Sequence, residues 1–406
     1  MSFQLSPHLA HFLQSQRGRQ ALSTAAELPL TSKHLLANLQ TLRASLNVDE
    51  ASAVVEQVLL RRKGQKKFAQ ADQMLFIREA LEQATHHLVA THRAKRFKGF
   101  NRVGDLGCGI GGDTIALATI ANAVTAFDLD PVRLAFARHN AAVYNLAHKL
   151  TFVQANVCQL PAMMSSLDAY FADPARRSSR GTRVSNPNNY QPPLNDLLTT
   201  FSHKPLAIKV APGFRYETLP YRGEVEAISL HGEVKEIILW FHDLATPNIA
   251  RRATLLPSQT VLTNDSDDDC PNGSYSTYLY EPDAAIIRAG LVKNAAAALD
   301  LSQPDLHIAY LTGQTCIHHP FVKTYQIEAT LPLKPKVINR YLKQHHIDTL
   351  DFKQRGTGIA LDTFSKKIKP MGGSNENKRT LILTRQQDKH LAFICQRRTE
   401  VNLVTN

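Results

Sequence analysis

The residues best suited to chemistry lie in a short glycine-rich stretch and at two acidic positions beyond it. Val103-Gly104-Asp105-Leu106-Gly107-Cys108-Gly109-Ile110-Gly111-Gly112-Asp113 ends an apolar run, and a helical pattern begins at Thr114-Ile115-Ala116-Leu117-Ala118. Glycines at such a junction permit a tight strand-to-helix turn and let a ligand approach the backbone. Gly107, Gly109 and Gly112 have the G-x-G-x-x-G spacing of a nucleotide-binding turn. Asp128 follows 21 residues after Gly107, at the end of the next apolar run, where a carboxylate takes a ribose hydroxyl. Leu129 comes directly after it. Together these residues predict a site for an adenosine-containing ligand.

Charge separates the adenosine ligands. A dinucleotide puts its pyrophosphate at the helix N-terminus, which favours anions. Asp105 and Asp113 flank this loop, and carboxylates there repel a diphosphate. S-adenosylmethionine has a sulfonium and an ammonium instead, and both are attracted. The expected cofactor is therefore S-adenosyl-L-methionine, and a nicotinamide-dependent oxidoreductase is disfavoured. Asn156, just past the third apolar run, could hydrogen-bond an adenine amino group or cap a helix.

A second constellation ends the run Leu167-Asp168-Ala169-Tyr170-Phe171-Ala172-Asp173-Pro174. In a doubly wound sheet the carboxyl ends of the strands line the ligand crevice, which places Asp173-Pro174 opposite the glycine loop. Asp173 and the neighbouring carbonyls offer acceptors to an exocyclic base amine. Accepting its N–H bonds frees the nitrogen lone pair for in-line attack on a methyl group, by positioning and electrostatics.

The elements that must hold these residues can be read from periodicity. Residues 1–98 read as helical, with apolar positions recurring on one face through Met74-Leu75-Phe76-Ile77, Ala80-Leu81, Ala84 and Leu88-Val89. Arg61-Arg62-Lys63-Gly64-Gln65-Lys66-Lys67 between them reads as a solvated turn. Short apolar runs then alternate with helical ones: Arg102–Leu106, Val124–Phe127, Leu150–Val153, Asp168–Ala172, Leu206–Val210 and Ile237–Phe241. That alternation predicts an α/β domain over 99–245 with helices on both faces of a Rossmann-like sheet. A mixed connecting region, 246–330, and a small basic α+β domain, 331–406, complete the expected organisation.

Composition narrows the function classes. The 406 residues carry 47 Lys+Arg against 35 Asp+Glu, a formal charge of +12. The excess is concentrated, because residues 331–406 hold a net of +9 and the other 330 residues only +3. A separately folded basic segment suggests a polyanionic partner, most economically nucleic acid. No run approaches the ~18 apolar residues of a membrane span, and Met1–Gln20 lacks the apolar core of a signal peptide. Cys108, Cys158, Cys270, Cys316 and Cys395 are far apart with no CxxC pair, and HExxH is absent. The expectation is a cytoplasmic protein with no metal site.

In combination, the Asp105-x-Gly107-x-Gly109 loop, Asp128 and Asp173-Pro174 resemble a class I S-adenosylmethionine-dependent methyltransferase. More narrowly, the chain resembles bacterial methyltransferases with a C-terminal THUMP-like domain, relatives of the trimethylguanosine synthase group. The resemblance rests on Glu82-Gln83-Ala84-Thr85, Asp173-Pro174-Ala175-Arg176-Arg177, Gly232-Glu233-Val234-Lys235-Glu236, Tyr280-Glu281-Pro282-Asp283 and Lys353-Gln354-Arg355-Gly356-Thr357. It runs from about Phe68 to Arg398. It implies a seven-stranded methyltransferase sheet and methyl transfer to RNA, such as to guanine N2 of an rRNA or tRNA. Asp173-Pro174 would lie at the acceptor, and Lys353 and Arg355 in the RNA-docking unit. One departure stands out. Amine methyltransferases of this kind usually follow Asp/Asn-Pro with Pro and an aromatic, where this chain has Ala175 and Arg176. Arg176 could stack on a base in place of the aromatic, or Arg176, Arg177, Arg180 and Arg183 could grip phosphates. A small-molecule methyltransferase and a nucleic-acid-binding protein with an inactive core stay open as alternatives.

Overall fold

In the computed structural model, residues 5–29, 34–159, 166–176, 184, 186–216, 223–373 and 377–399 are described. The chain divides into two compact units: residues 1–223 with 237–246, and residues 224–236 with 247–406.

The first unit opens with helices α1 (Pro7–Gln14), α2 (Gln16–Ala26), α3 (Leu35–Leu42) and α4 (Val48–Gly64). Asn47 and Glu50 cap α4 reciprocally, each side chain bonded to the other's backbone N–H, which fixes where that helix starts. Helices α5 (Arg78–Gln83) and α6 (His87–Ala94) follow. The continuous helical face expected from Met74 to Val89 is not formed. Met74–Ile77 has no regular structure, Met74, Leu75 and Phe76 are buried, and the helix starts only at Arg78. Side-chain amides stand in for the missing helical bonds. Gln57 Nε2 donates to the Phe76 carbonyl (2.6 Å), and its Oε1 accepts from the Phe76 N–H (2.9 Å). Asn140 does the same for Leu75, with bonds of 2.8 and 3.0 Å, and also donates to the Ile110 carbonyl (2.9 Å). Buried backbone groups need such partners. The Arg61–Lys67 segment differs from a solvated turn for the same reason. Arg61–Gly64 complete α4, Arg61 Nε donates to the Met74 carbonyl (2.8 Å), and Lys67 Nζ donates to the carbonyls of Leu81, Glu82 and Ala84.

Strands β1 (Arg102–Leu106), β2 (Ala123–Asp128), β3 (Leu150–Gln154), β4 (Ala169–Ala172) and β5 (Leu206–Val210) then alternate with helices α7 (Gly112–Ala118), α8 (Pro131–Val143) and one at Leu194–Thr200. β1 to β5 are mutually parallel, in the order β3-β2-β1-β4-β5, and β7 (Glu233–Phe241) runs antiparallel to β5. The order reverses at β1/β4, which is the switch point where doubly wound sheets bind ligands. The N-terminal helices share a core with this layer: Leu13, Val54, Val58 and Phe76 cluster with Ile110, Ile115, Val132 and Phe136.

In the second unit β6 (Glu224–Leu230) pairs parallel to β8 (Arg251–Leu256), and β8 pairs antiparallel to β9 (Thr260–Thr263). That unit also holds a six-stranded sheet in the order β11-β10-β12-β15-β14-β13, made of Leu311–Gly313, Tyr278–Pro282, Val322–Pro332, Lys389–Arg398, Lys378–Gln386 and Thr349–Gln354. Helix Pro335–Gln344 lays Ile338 and Leu342 on a core with Leu381, Leu383, Ala392 and Ile394.

Asn140 replaces the hydrogen bonds of three buried backbone groups at once. Asn140→Ala should therefore cost about 2–4 kcal/mol of stability, read as a lowered urea midpoint with an unchanged slope. A variant as stable as the parent would show that water takes over these bonds.

Candidate active site

The glycine turn joins β1 to α7, and its backbone is bent in ways that β-carbons resist. Gly107 has φ +99° and Gly109 φ +56°. A Cβ on Gly107 would lie 3.7 Å from the Asp173 carbonyl oxygen, so the turn and the β4 tip face each other across a narrow gap. Among the described residues nothing lies within 4 Å of a Cβ built on Gly109, which leaves open space beside the backbone there. Gly112, at the first position of α7, packs on Phe68 from the helical region, 3.2 Å from its hypothetical Cβ.

Asp128 ties this turn to β2. Its Oδ2 accepts from Gly109 N and its Oδ1 from Asp130 N, both at 2.9 Å. Burial raises its pKa, and these backbone donors oppose the rise. Leu129 is 65% exposed, an unusual position for a large aliphatic side chain and a ready apolar platform for a base. Asn156 is exposed, and its Oδ1 accepts from Cys158 N (3.1 Å), capping the turn at Val157–Gln159. The capping role is thus realised, and one lone pair of Oδ1 is left for an adenine amine.

Beneath the turn lies a buried group of charges. Asp105 is 1% exposed; its Oδ2 accepts from Thr114 Oγ1 (2.5 Å), and its Oδ1 has no hydrogen-bond partner among the described residues. Burial above all, then the nearby Asp113, pushes its pKa up to about 8, against the opposing influence of Thr114 and Arg93. Asp113 is in an ion pair with Arg93, which is 2% exposed and stacks 4.2 Å over the Phe171 ring. The two carboxylates that flank the loop in sequence therefore do not both face a ligand. Asp113 is taken by Arg93, while the Oδ1 of Asp105 is the orphaned buried acceptor. The charge argument for the cofactor thus rests on Asp105 alone.

At the β4 tip Pro174 is buried and Asp173 half-buried. Lys209, the penultimate residue of β5, reaches Asp173 Oδ2 at 2.7 Å and Thr85 Oγ1 at 2.8 Å. Thr85 also donates to Asp113 Oδ2 (3.3 Å), closing a chain from Asp173 through Lys209 and Thr85 to Asp113 and Arg93. Sequence reading missed Lys209, Thr85 and Arg93 as site residues. Lys209 had a visible signal, a lone cation inside the otherwise apolar Leu206–Val210. Thr85 ends the Glu82–Thr85 motif without having been assigned a role. Arg176 is described, its carbonyl accepting from Val184 N (2.9 Å), but Arg177, Arg180 and Arg183 lie outside the described residues. In the second unit, Lys353 Nζ bonds Glu281 Oε2 (2.7 Å) and Arg355 sits 3.7 Å from Glu281 Oε1. Both expected RNA contacts thus share one carboxylate.

The comparisons with known proteins decide the family. An uncharacterised S-adenosylmethionine-dependent methyltransferase of Mycobacterium tuberculosis, found in strains CDC 1551 and H37Rv, is 35% identical over 335 residues, covering 80% of this chain and 90% of its own length. The chain belongs to the S-adenosylmethionine-dependent methyltransferases. Its cofactor is S-adenosyl-L-methionine, for which the open side of Gly109 and the orphaned Asp105 oxygen are suited. Family models match as RNA cap guanine-N2 methyltransferase over residues 100–181, THUMP domain-like over 322–397, and a domain of unknown function over 8–64. The fold has a counterpart in the crystal structure of a Porphyromonas gingivalis W83 protein described as a methyltransferase. That structure is 20% identical with a TM-score of 0.72, covering 92% of this chain and all of the other. Among the described residues no helix is long and apolar enough to cross a membrane.

With its pKa raised from 3.8 to about 8, Asp105 keeps a proton in the folded protein that the unfolded chain has lost. Across that interval the folded state binds more protons, so this group lowers stability as pH rises towards 8. Asp105→Asn cannot ionise. In the cofactor-free protein, its melting temperature relative to the parent should climb between pH 5 and 8, as followed by calorimetry. A difference independent of pH would mean that Asp105 is already ionised at pH 5.

Proposed function

We propose that this methyltransferase acts on RNA, at an exocyclic base amine such as guanine N2, in the cytoplasm. The observation that carries the reading is the β4 tip, where Lys209 holds one oxygen of Asp173 and the other is left for an acceptor, directly opposite the glycine turn. The match of residues 100–181 to the guanine-N2 model and of 322–397 to the THUMP-like model supports RNA as the substrate class.

In this reading Gly107, Gly109 and Gly112 shape the cofactor cradle, and Asp128 accepts from ribose hydroxyls. Leu129 and Asn156 bound the adenine, and the Oδ1 of Asp105 faces the cationic part of the cofactor. The cofactor supplies an electrophilic methyl on sulfonium. The chain supplies placement: Asp173 Oδ1 and the adjoining carbonyl accept the amine N–H bonds, and Pro174 stiffens the turn that aims them. Arg176 provides a planar cation beside the acceptor base, and Arg177 and Arg180 provide phosphate contacts. Attack by the nitrogen on that methyl carbon would return the C–S bonding pair to sulfur, and Asp173 or water would take the amine proton.

Asp173→Ala should abolish methyl transfer to RNA from a strain lacking this gene while S-adenosylhomocysteine binding, by calorimetry, stays within a few-fold of the parent. Retained transfer would remove Asp173 from the mechanism. Mass spectrometry of nucleosides from that strain should show one methylated guanosine missing. An unchanged nucleoside profile, with transfer to small amines instead, would overturn RNA as the substrate.

A further inference from the structure

The second unit divides its cations into two groups. Several are paired: Lys353 and Arg355 with Glu281, Lys378 with Asp351 (2.8 Å), and Arg379 with Glu328 (2.6 Å). Others have no ion-pair partner among the described residues, and six of these lie on two neighbouring segments. Helix Pro335–Gln344 presents Lys336, Arg340 and Lys343, all exposed and spaced i, i+4, i+7, while Ile338 and Leu342 turn to the core. That spacing makes a single stripe about 10 Å long. Residues 333–346 hold four Lys/Arg and no Asp or Glu.

A second basic segment is fastened alongside. Lys366, Lys367 and Lys369 follow the short helix Leu361–Ser365 and are exposed. Asn339, on the helix flank next to the stripe, donates through Nδ2 to the Lys367 carbonyl (3.0 Å) and accepts through Oδ1 from Lys369 N (2.9 Å). One side chain thus fixes the register of the two segments. Asp362 is the one acidic residue on the short helix, and it is exposed.

Scattered surface lysines serve solubility, and their neighbours commonly include carboxylates. Here carboxylates pair with the cations at Lys353, Arg355, Lys378 and Arg379, whereas among the described residues none is in an ion pair with the cations of the clamped face. Unneutralised cations in fixed register suit a polyanion read by charge and shape, since each phosphate contact releases counterions. Guanidinium and ammonium groups without base-reading partners position a backbone and do not specify sequence. Building on the proposed RNA substrate, we infer that the face made by Lys336, Arg340, Lys343, Lys366, Lys367 and Lys369 is where this unit grips the RNA phosphate backbone. Lys353 and Arg355 instead hold the unit together through Glu281.

The test uses the full chain and a fluorescein-labelled RNA hairpin, with anisotropy titrations over about 50–200 mM salt. Combined Lys336→Glu, Arg340→Glu and Lys343→Glu should weaken binding at least ~10-fold and flatten the salt slope by about 2–3. Lys366→Glu, Lys367→Glu and Lys369→Glu together should act alike, and Lys353→Gln with Arg355→Gln should leave affinity within about twofold. These cations are exposed, and an unchanged far-UV circular dichroism melt checks that each helix variant is folded. Binding like the parent by both lysine-face variants, or an equal loss from the Lys353/Arg355 variant, overturns this surface while the RNA reading stands. A parent protein that binds no RNA at the lowest salt overturns both.

Discussion

The active centre is constrained by charge balance in a place with little water. Three carboxyls, Asp105, Asp113 and Asp173, and two cations, Arg93 and Lys209, converge at the ends of β1, β4 and β5. Burying an ion without a partner costs several kcal/mol, so each charge must be matched or discharged. Two pairs satisfy four of the five groups: Arg93 with Asp113, and Lys209 with Asp173. The fifth, Asp105, has no cation to itself and is held towards its neutral form. Its bond to Thr114 and its orphaned Oδ1 then make it the group whose charge depends most on what occupies the site. A cationic ligand would supply the missing partner, and a diphosphate would worsen the imbalance.

This balance accounts for the helical region in front of the methyltransferase sheet. Thr85 bridges Lys209 and Asp113, and its position is set from a distance. Lys67 Nζ gathers the carbonyls of Leu81, Glu82 and Ala84, fixing the end of α5 and the turn that delivers Thr85. Arg93 comes from α6, the next helix, and its guanidinium lies on Phe171 of β4. The N-terminal residues therefore do more than cover the sheet. They contribute a hydroxyl and a guanidinium to the buried network, and share one apolar core with α7 and α8.

Much of this was legible in the sequence. The strands from Arg102 to Val210 appear close to where their apolar runs placed them, because a parallel strand buried on both faces reads as an uninterrupted apolar segment. The glycine turn, Asp128 and Asp173-Pro174 could be nominated from the sequence because each is a local pattern, in residues adjacent along the chain. What escaped was non-local. The Met74–Ile77 stretch has helical spacing, yet Gln57 and Asn140 satisfy its backbone from 19 and 65 residues away, and no short window holds that information. Arg93 meets Asp113 across 20 residues, and Lys209 meets Thr85 across 124. The loop carboxylates led to the right cofactor, although one of the two was already neutralised by a cation that sequence spacing could not place beside it.

The same reasoning separates structural cations from available ones in the basic C-terminal region. A net charge shows how many positive groups a segment holds, and nothing about how many remain unmatched after folding. Glu281 illustrates the difference: it accepts from Lys353, lies near Arg355, and takes a hydrogen bond from Tyr325 (3.4 Å), so three side chains converge on one half-buried carboxylate. Tyr325 and Tyr310 lie beneath Lys353 and Arg355, at 5.9 and 5.3 Å from the ring centroids, which further desolvates the pair. Cations so engaged would lose fold interactions on turning to a phosphate, whereas those on the clamped helix would lose only water and counterions. If this unit grips a polyanion, the free energy for it would therefore be concentrated where charge is left unmatched among the described residues, and the Lys353–Thr357 motif that stands out in the sequence would mark the internal frame of the unit.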